Sequence, residues 1–303
     1  MPKFRIQVLC LVLACLSLGG LRADKPSSTT LAGPDFVALV PGGTLVLVGG
    51  GTTPPKAREA FVAEARKGTG KLVVIPSASA SSGEKPHAEI LREWSMDFPK
   101  AEILNCATRE EALKPGSARQ LEQAQAVWIG GGQQSRLAQL YQGTPVERAL
   151  RELLSRGGVV GGTSAGAAIL SRVMATGFDL LPRVILDQHF TERSRKPRLA
   201  SAVKAHPGWV GLGIDEGTAL LINRRLMVAV GQGAVHGVWS PDGQTIREQD
   251  WTGKEVENSM DDLPRLWRQA AWGEPSPRGK PRVEKGALVA VGGGGMVPEV
   301  VDK

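Results

Sequence analysis

Short, wholly apolar runs alternate with amphipathic stretches through the first half of the chain. The runs are "GTLVLVGGG" (Gly43 to Gly51), "KLVVIPSAS" (Lys71 to Ser79), "AEIL" (Ala101 to Leu104), "AVWIGGG" (Ala126 to Gly132) and "GGVVGGTSAGAAIL" (Gly157 to Leu170). Between them, helical spacing covers Pro55 to Lys67, Lys85 to Met96, Arg109 to Leu113, the "QQSRLAQL" that follows Gly132, and Val146 to Arg156. Strands apolar on both faces, separated by helices, predict an α/β fold: a mostly parallel, doubly wound sheet with helices on both faces. In such sheets ligands gather beyond the carboxyl ends of the strands. Three turns of small residues, Gly49 to Gly51, Gly130 to Gly132 and Gly161 to Gly166, fall at that edge.

The second half has a different rhythm. "RVILDQHF", "TALLI", "LMVAVG" and "AVHGVWS" are short strands at close spacing, with turns at Asn223-Arg224-Arg225 and Pro241-Asp242-Gly243. They predict an antiparallel extension of the same sheet. "EVENSMDDLPRLWRQAAW" predicts a closing helix, so one domain spans 42–272, and the proline- and glycine-rich residues 273–285 form a linker. Beyond it, "GALVAVGGGGMVPE" (Gly286 to Glu299) repeats the pattern of "GTLVLVGGGTTPPK" (Gly43 to Lys56), so 286–303 is either a chance likeness or the first strand of a truncated second copy.

The N-terminus changes the picture of compartment. Lys3 and Arg5 precede an apolar run from Ile6 to about Leu18 and small residues up to Ala23, the pattern of a secretory signal peptide over 1–23. The run is too short for a comfortable membrane span. A lipoprotein signal ending at Cys15 is the weaker alternative, and residues 24–41 form a loose arm. The protein is therefore expected to be secreted or periplasmic. Loss of the leader removes Lys3, Arg5 and Arg22, which takes 37 basic residues to 34 against 30 acidic, and lowers the net charge from +7 to +4. That excess is small and scattered, with no basic stripe interleaved with aromatics, which argues against nucleic acid. Cys10 and Cys15 leave with the leader and strand Cys106, so neither an intramolecular disulfide nor a cysteine-based metal site is expected. No metal, no cofactor and no membrane span after cleavage are expected, with a homodimer as the assembly.

Candidate chemistry centres on "VVGGTSAGAAIL", where Ser164 stands among Gly161, Gly162, Ala165, Gly166, Ala167 and Ala168. One reading is a strand turning tightly into a closely packed helix. The other is a nucleophile elbow, a strained strand-to-helix turn that exposes a serine hydroxyl next to backbone donors suited to an oxyanion. A serine nucleophile needs a base, and the chain has four histidines: His87, His189, His206 and His236. His189 follows an apolar strand, at the same sheet edge as the elbow. For the group that orients the base, Asp215 and Glu216 in "GLGIDEGTALLI" lie between two apolar runs, where acids need a purpose.

"GGTSAGA", "LLPRVILDQHFTERSRKPRL" and "GLGIDEGTALLI" together resemble the cyanophycinase branch of the serine peptidases that also contain dipeptidase E, on a class I glutamine amidotransferase-like fold. The resemblance covers about residues 40–240. It implies Ser164 as nucleophile, His189 as base and Glu216 as its orienting acid. It assigns the oxyanion hole to the amide of Ala165 and one from the Gly131-Gly132 turn, that of Gly132. Gln133, Asp187, Gln188, Arg193, Arg195 and Arg198 match positions that contact a β-aspartyl-arginine substrate. Arginines fork onto carboxylates, and Asp187 is expected to hold a guanidinium or an amine. A helix starting near Ser194 would put Arg195 and Arg198 on one face.

The implied function is an exported serine peptidase acting at aspartyl linkages of a peptide or polypeptide through an acyl-enzyme. Alternatives are an aspartyl dipeptidase or an esterase with the same triad, and a non-catalytic binding protein on the same fold. Serine in place of cysteine at the elbow disfavours a glutamine amidotransferase. The order Ser, His, Glu and the lack of an HGGG-type loop disfavour an α/β-hydrolase. Ser194 stands where the family usually has glycine, Gln133-Gln134 where it has aspartate, and the segment between elbow and "DQHF" is short.

Overall fold

The computed structural model describes residues 41–79, 87–172, 177–254, 260–273, 288–291 and 295–298. The expected signal peptide over 1–23, residues 24–40 of the expected arm and residues 274–285 of the expected linker lie outside the described residues.

The first strand, β1 (Thr44–Val48), is buried along its whole length. Its alternate side chains face two cores. Leu45 and Leu47 pack with Leu137, Leu150 and Leu153, whereas Val46 and Val48 pack with Ala57, Phe61 and Ala65. The second set belongs to α1 (Pro55–Arg66), which starts with proline in its first turn. Next come β2 (Leu72–Ile75), α2 (His87–Arg92), β3 (Glu102–Ile103), α3 (Arg109–Leu113), α4 (Arg119–Glu122) and β4 (Ala126–Ile129). The helices α5 (Gln134–Tyr141) and α6 (Pro145–Ser155) cover the other face, the latter capped by Thr144, whose hydroxyl accepts the Val146 N–H at 3.2 Å. The elbow consists of β5 (Val159–Thr163) and α7 (Ala165–Ala168).

The second half supplies β6 (Val184–Gln188), α8 (Lys196–Ala205), β7 (Val210–Ile214), β8 (Thr218–Asn223), β9 (Leu226–Gly231), β10 (Ala234–Trp239), β11 (Arg247–Thr252), β12 (Met260–Asp262) and α9 (Leu263–Trp272). The main sheet has the order β12-β9-β8-β1-β5-β4-β2-β3. From β1 to β3 the pairs are parallel, and from β1 to β12 antiparallel. The fold is thus a mixed α/β architecture with a large, mostly parallel sheet and helices on both faces.

Three sequence expectations are corrected. The antiparallel extension of the main sheet is present in β8, β9 and β12, but it does not take in the whole second half, because β11-β10-β7-β6 forms a separate four-stranded sheet. The chain leaves the main sheet at Gly231, whose φ of 126° is open to glycine, and an added Cβ there would lie 2.3 Å from the Gly217 carbonyl. The Asp215 carboxylate then accepts the Ala234 N–H at 3.1 Å and starts β10 beside β7. The closing helix begins at Leu263, where the Asp262 side chain accepts the Arg265 N–H at 3.0 Å and a proline occupies the first turn. Residues 255–259 lie outside the described residues. The helix expected near Ser194 starts at Lys196, because Ser194 has φ 50° and cannot be helical. Past the linker, β13 (Leu288–Val291) and β14 (Gly295–Pro298) pair with each other in antiparallel fashion.

Register sets the functional edge. Val48 of β1 stands opposite Thr163 of β5, and Gly162 opposite Ile129 of β4, so the three small-residue turns leave the sheet at one level. In the second sheet Gln188 pairs with Ile214, which brings out His189 and Asp215 side by side. The two sheets meet there, through a 2.7 Å hydrogen bond from the His189 N–H to the Gly49 carbonyl.

Candidate active site

The glycines around Ser164 serve both readings of that stretch. A Cβ on Gly161 would come within 2.5 Å of the Trp128 ring, one on Gly162 within 2.5 Å of the Gly166 backbone, and one on Gly166 within 2.1 Å of the Ile129 carbonyl. They let α7 sit hard against β4 and β5. The turn itself is strained: Ser164 has φ 51° and ψ −116°, a region that side chains rarely adopt. Its N–H donates to the Val48 carbonyl at 2.9 Å, so the backbone is pinned and the hydroxyl stands at the helix entrance.

His189 also has a positive φ, 49°. This aims its ring back across the edge, with Nε2 at 2.7 Å from Ser164 Oγ. On the far side of the ring, Nδ1 makes a short hydrogen bond to the Glu216 carboxylate. A carboxylate acceptor at Nδ1 fixes the tautomer that leaves Nε2 able to accept the serine proton. His189 is 8% exposed, whereas the Glu216 side chain is 41% exposed. Hydroxyl, imidazole and carboxylate therefore stand in a row, the geometry that moves a proton from an attacking oxygen to a base.

Of the two acids left open by the sequence, only Glu216 touches His189. Asp215, next along the chain, accepts the Thr191 N–H at 3.1 Å, its hydroxyl at 2.6 Å, the Ala234 N–H, and His236 Nε2 at 3.1 Å. Burial works against its charge, but the bonds from Thr191, Ala234 and His236 prevail and hold its carboxyl below the ordinary value of 3.8. A depressed folded value means the charge stabilises the fold above about pH 4, and this is lost as pH falls through the folded value. Asp215→Asn should cost about 1 to 2 kcal/mol at pH 7 and flatten the acid limb of stability, measured by urea denaturation at pH 7 and pH 3. Parallel acid limbs in the two proteins would show that Asp215 is not the titrating group. The other histidines are placed elsewhere: His236 lies between Asp215 and Asp250 and stacks on Phe190, and His206 packs on Trp209. The side chain of His87 lies outside the described residues.

A residue the sequence reading did not single out is Gly50. At φ 120°, its backbone lies so close to the histidine that an added Cβ would fall 2.2 Å from His189 Cε1. Gly50 also accepts the Gly217 N–H at 2.9 Å, tying the first turn to the Glu216 loop. The "GGG" after an apolar strand was its available signal. The partner was not legible.

The oxyanion candidates lie beside the hydroxyl. Ala165 opens a helix, where N–H groups lack intrahelical partners. Gly131 approaches Ser164, since its added Cβ would be 3.4 Å from Ser164 Cβ, while Gly132 at φ 142° presses on the Ala78 carbonyl.

The substrate-contact positions divide. The expectation that Asp187 is free for a substrate guanidinium or amine is corrected: its side chain is 0% exposed and taken by two arginines of its own chain. Arg195 Nη1 reaches Asp187 at 3.0 Å and the Gln188 carbonyl at 2.7 Å, and Arg198 Nε reaches Asp187 at 2.7 Å, with a second, shorter bond from Nη2. Arg198 remains 48% exposed, and Arg193 and Gln133 are exposed. Arg193 makes no ion pair among the described residues. Because the Asp187 carboxylate is buried between two guanidinium groups, Asp187→Asn should lower stability by about 3 to 5 kcal/mol. Arg195→Ala should reduce turnover equally on a peptide and a small ester. A rise in KM confined to the peptide would instead make Arg195 a substrate contact.

Among the described residues, no group of three or more His, Cys, Asp or Glu is placed to hold a metal ion, and no helix is long and apolar enough to cross a membrane.

Fold and site together describe a serine-type peptidase of the α/β class. The chain belongs to peptidase family S51, whose family model matches residues 45–228. It is 35% identical over 214 residues to a cyanophycinase of Trichormus variabilis, which covers 63% of this chain and 72% of that relative. A cyanophycinase of Synechococcus elongatus is 32% identical over 203 residues, 59% of this chain and 62% of the relative. Among solved structures, a peptidase from an acI-B1 Actinobacterium shares the fold with a TM-score of 0.55 and 24% identity, covering 73% of this chain and 96% of that one.

Proposed function

We propose that this peptidase hydrolyses bonds at aspartyl residues, with Ser164 as nucleophile, His189 as general base and then acid, and Glu216 as the group that orients and stabilises the imidazolium. The observation that carries the reading is the unbroken row from Ser164 Oγ through the His189 ring to the Glu216 carboxylate, built from three separate loops at one edge. Ser164 Oγ attacks the carbonyl while its proton passes to His189 Nε2. The oxyanion is met by the amide of Ala165 and one from the Gly131-Gly132 turn. Collapse releases the amine with the proton returned by His189, and water repeats the sequence on the acyl-enzyme.

The substrate class follows the relatives named cyanophycinases: a polymer of β-aspartyl-arginine units. Exposed Arg193 and half-exposed Arg198 supply positive charge for its carboxylates, and Gln133 and Gln188 supply amides. The leader over 1–23 supports export to the periplasm or medium.

The test is product analysis after incubation with cyanophycin beside a panel of aspartyl dipeptides. Release of β-aspartyl-arginine dipeptides is expected. Cleavage of α-aspartyl dipeptides alone would move the chain to an aspartyl dipeptidase and direct attention to Ser194 and Gln133. Failure of the folded protein to cleave any of them, or to be labelled by a serine-directed fluorophosphonate, would leave a binding protein.

A further inference from the structure

The chain has a single tyrosine, Tyr141, and it is fully buried at the end of α5. Its hydroxyl belongs to a chain of hydrogen bonds in which each donor has one direction. The Cys106 N–H donates to Tyr141 Oη at 3.1 Å, and Ser77 donates to Asn105 Oδ1 at 2.7 Å. The remaining bond, 2.6 Å between Tyr141 Oη and Ser77 Oγ, is then donated by the tyrosine. Ser77 is itself 0% exposed, so nothing but this chain satisfies its hydroxyl.

Ser77 lies in the segment that leaves β2, and that segment is the back wall of the glycine turn beside Ser164. The Ile75 carbonyl accepts the Gly130 N–H at 2.9 Å, the Ala78 carbonyl accepts the Gln133 N–H at 2.8 Å, and the Ser77 carbonyl accepts Arg136 Nε at 2.9 Å. Gly132 lies so near the wall that a Cβ would come 2.3 Å from the Ala78 carbonyl oxygen. On its other side the turn meets the elbow, Gly131 against Ser164. The turn is pressed on the wall at Gly132, so a shift of the wall is passed on to it, and at Gly131 it faces the elbow across an ordinary contact.

We propose that Tyr141 is a positioning residue for acyl transfer, fixing through Ser77 the wall that aims the Gly131-Gly132 amides at the oxyanion. The proposal rests on the reading above that this turn supplies an oxyanion donor. Preorganised donors matter most where charge develops, so an offset of a few tenths of an ångström lowers kcat and leaves ground-state binding alone. Burial pushes the Tyr141 phenol up to about 12, so the donor is present throughout the working range and its effect is independent of pH.

The test compares the full-length wild type with Tyr141→Phe, which deletes one oxygen and keeps the ring, on a peptide and on a small activated ester. The expected result is a fall in kcat of about ten-fold, equal on both substrates and constant from pH 6 to pH 9, with KM within two-fold. A peptide aldehyde, which forms the tetrahedral adduct on a serine, should lose affinity by the same factor. Ser77→Ala should do the same, and the double variant should be no worse than either single one. If Tyr141→Phe does not fold, Ser77→Ala carries the comparison. A lowered melting temperature with kcat and aldehyde affinity within two-fold of wild type would overturn the proposal. If the aldehyde bound wild type no more tightly than a substrate, the oxyanion reading itself would fail, and the proposal with it.

Discussion

Ser164→Ala and His189→Ala should each reduce kcat on any cleaved peptide by on the order of 10⁴- to 10⁶-fold, with KM little changed. The two groups act as a unit, so the double variant should be no slower than either single one. Glu216→Gln should cost less than His189→Ala, because the orienting acid only sets the tautomer and supports the imidazolium. The exposure of Glu216, 41% against 10% for the His189 side chain, points the same way, since water partly replaces the lost charge. Fluorophosphonate labelling gives an independent readout: absent in Ser164→Ala, slow in His189→Ala, intermediate in Glu216→Gln. His206→Ala should be silent in both assays, because His206 packs on Trp209 and not on the row. An active His189→Ala protein would mean that another base serves Ser164 and that the row is structural.

Gly50→Ala should reduce kcat by about 10²- to 10³-fold while Ser164, His189 and Glu216 all remain. The new methyl would stand 2.2 Å from Cε1, 2.6 Å from Nδ1 and 2.7 Å from Nε2 of His189, and the backbone at φ 120° disfavours any side chain. Since the main chain at 49 and 50 is tied to His189 and Gly217, the ring gives way, and a displacement of about an ångström is worth about 10²-fold. Gly51→Ala is the control. Its φ of 66° is strained in a similar sense, but its added Cβ meets Glu216, at a tight 3.3 Å, and not the His189 ring, so stability should fall while kcat drops by no more than about ten-fold. Gly50→Ala with wild-type turnover would place the working imidazole elsewhere.

Much of the main sheet was legible because its strands are apolar on both faces and its helices carry a clear stripe, signals that depend only on neighbours in sequence. Ser164 was legible because a strained elbow needs glycines nearby. Asp215 and Glu216 could not be separated, since choosing between them depends on which way each side chain points as β7 ends. Asp215 turns toward β10 and Thr191, and Glu216 toward His189. Asp187, Arg195 and Arg198 were read as substrate contacts because the resemblance implied it, and nothing in their spacing shows that they pair with one another. The left-handed residues His189 and Ser194, neither of them glycine, fold the chain back so that Arg195 and Arg198 close on Asp187.

By itself, the sequence determined the alternation of strand and helix, the three small-residue turns that follow its strands, and the residue types available there. These follow from local periodicity and from the backbone freedom that only glycine supplies. Only the tertiary structure decided that the second half divides into two sheets, that Gly50 backs the His189 ring, that Asp187 is filled by its own chain, and that Tyr141 stands behind the glycine turn. Each of these depends on contacts between segments far apart in the chain, across which close packing leaves room for one partner and no other.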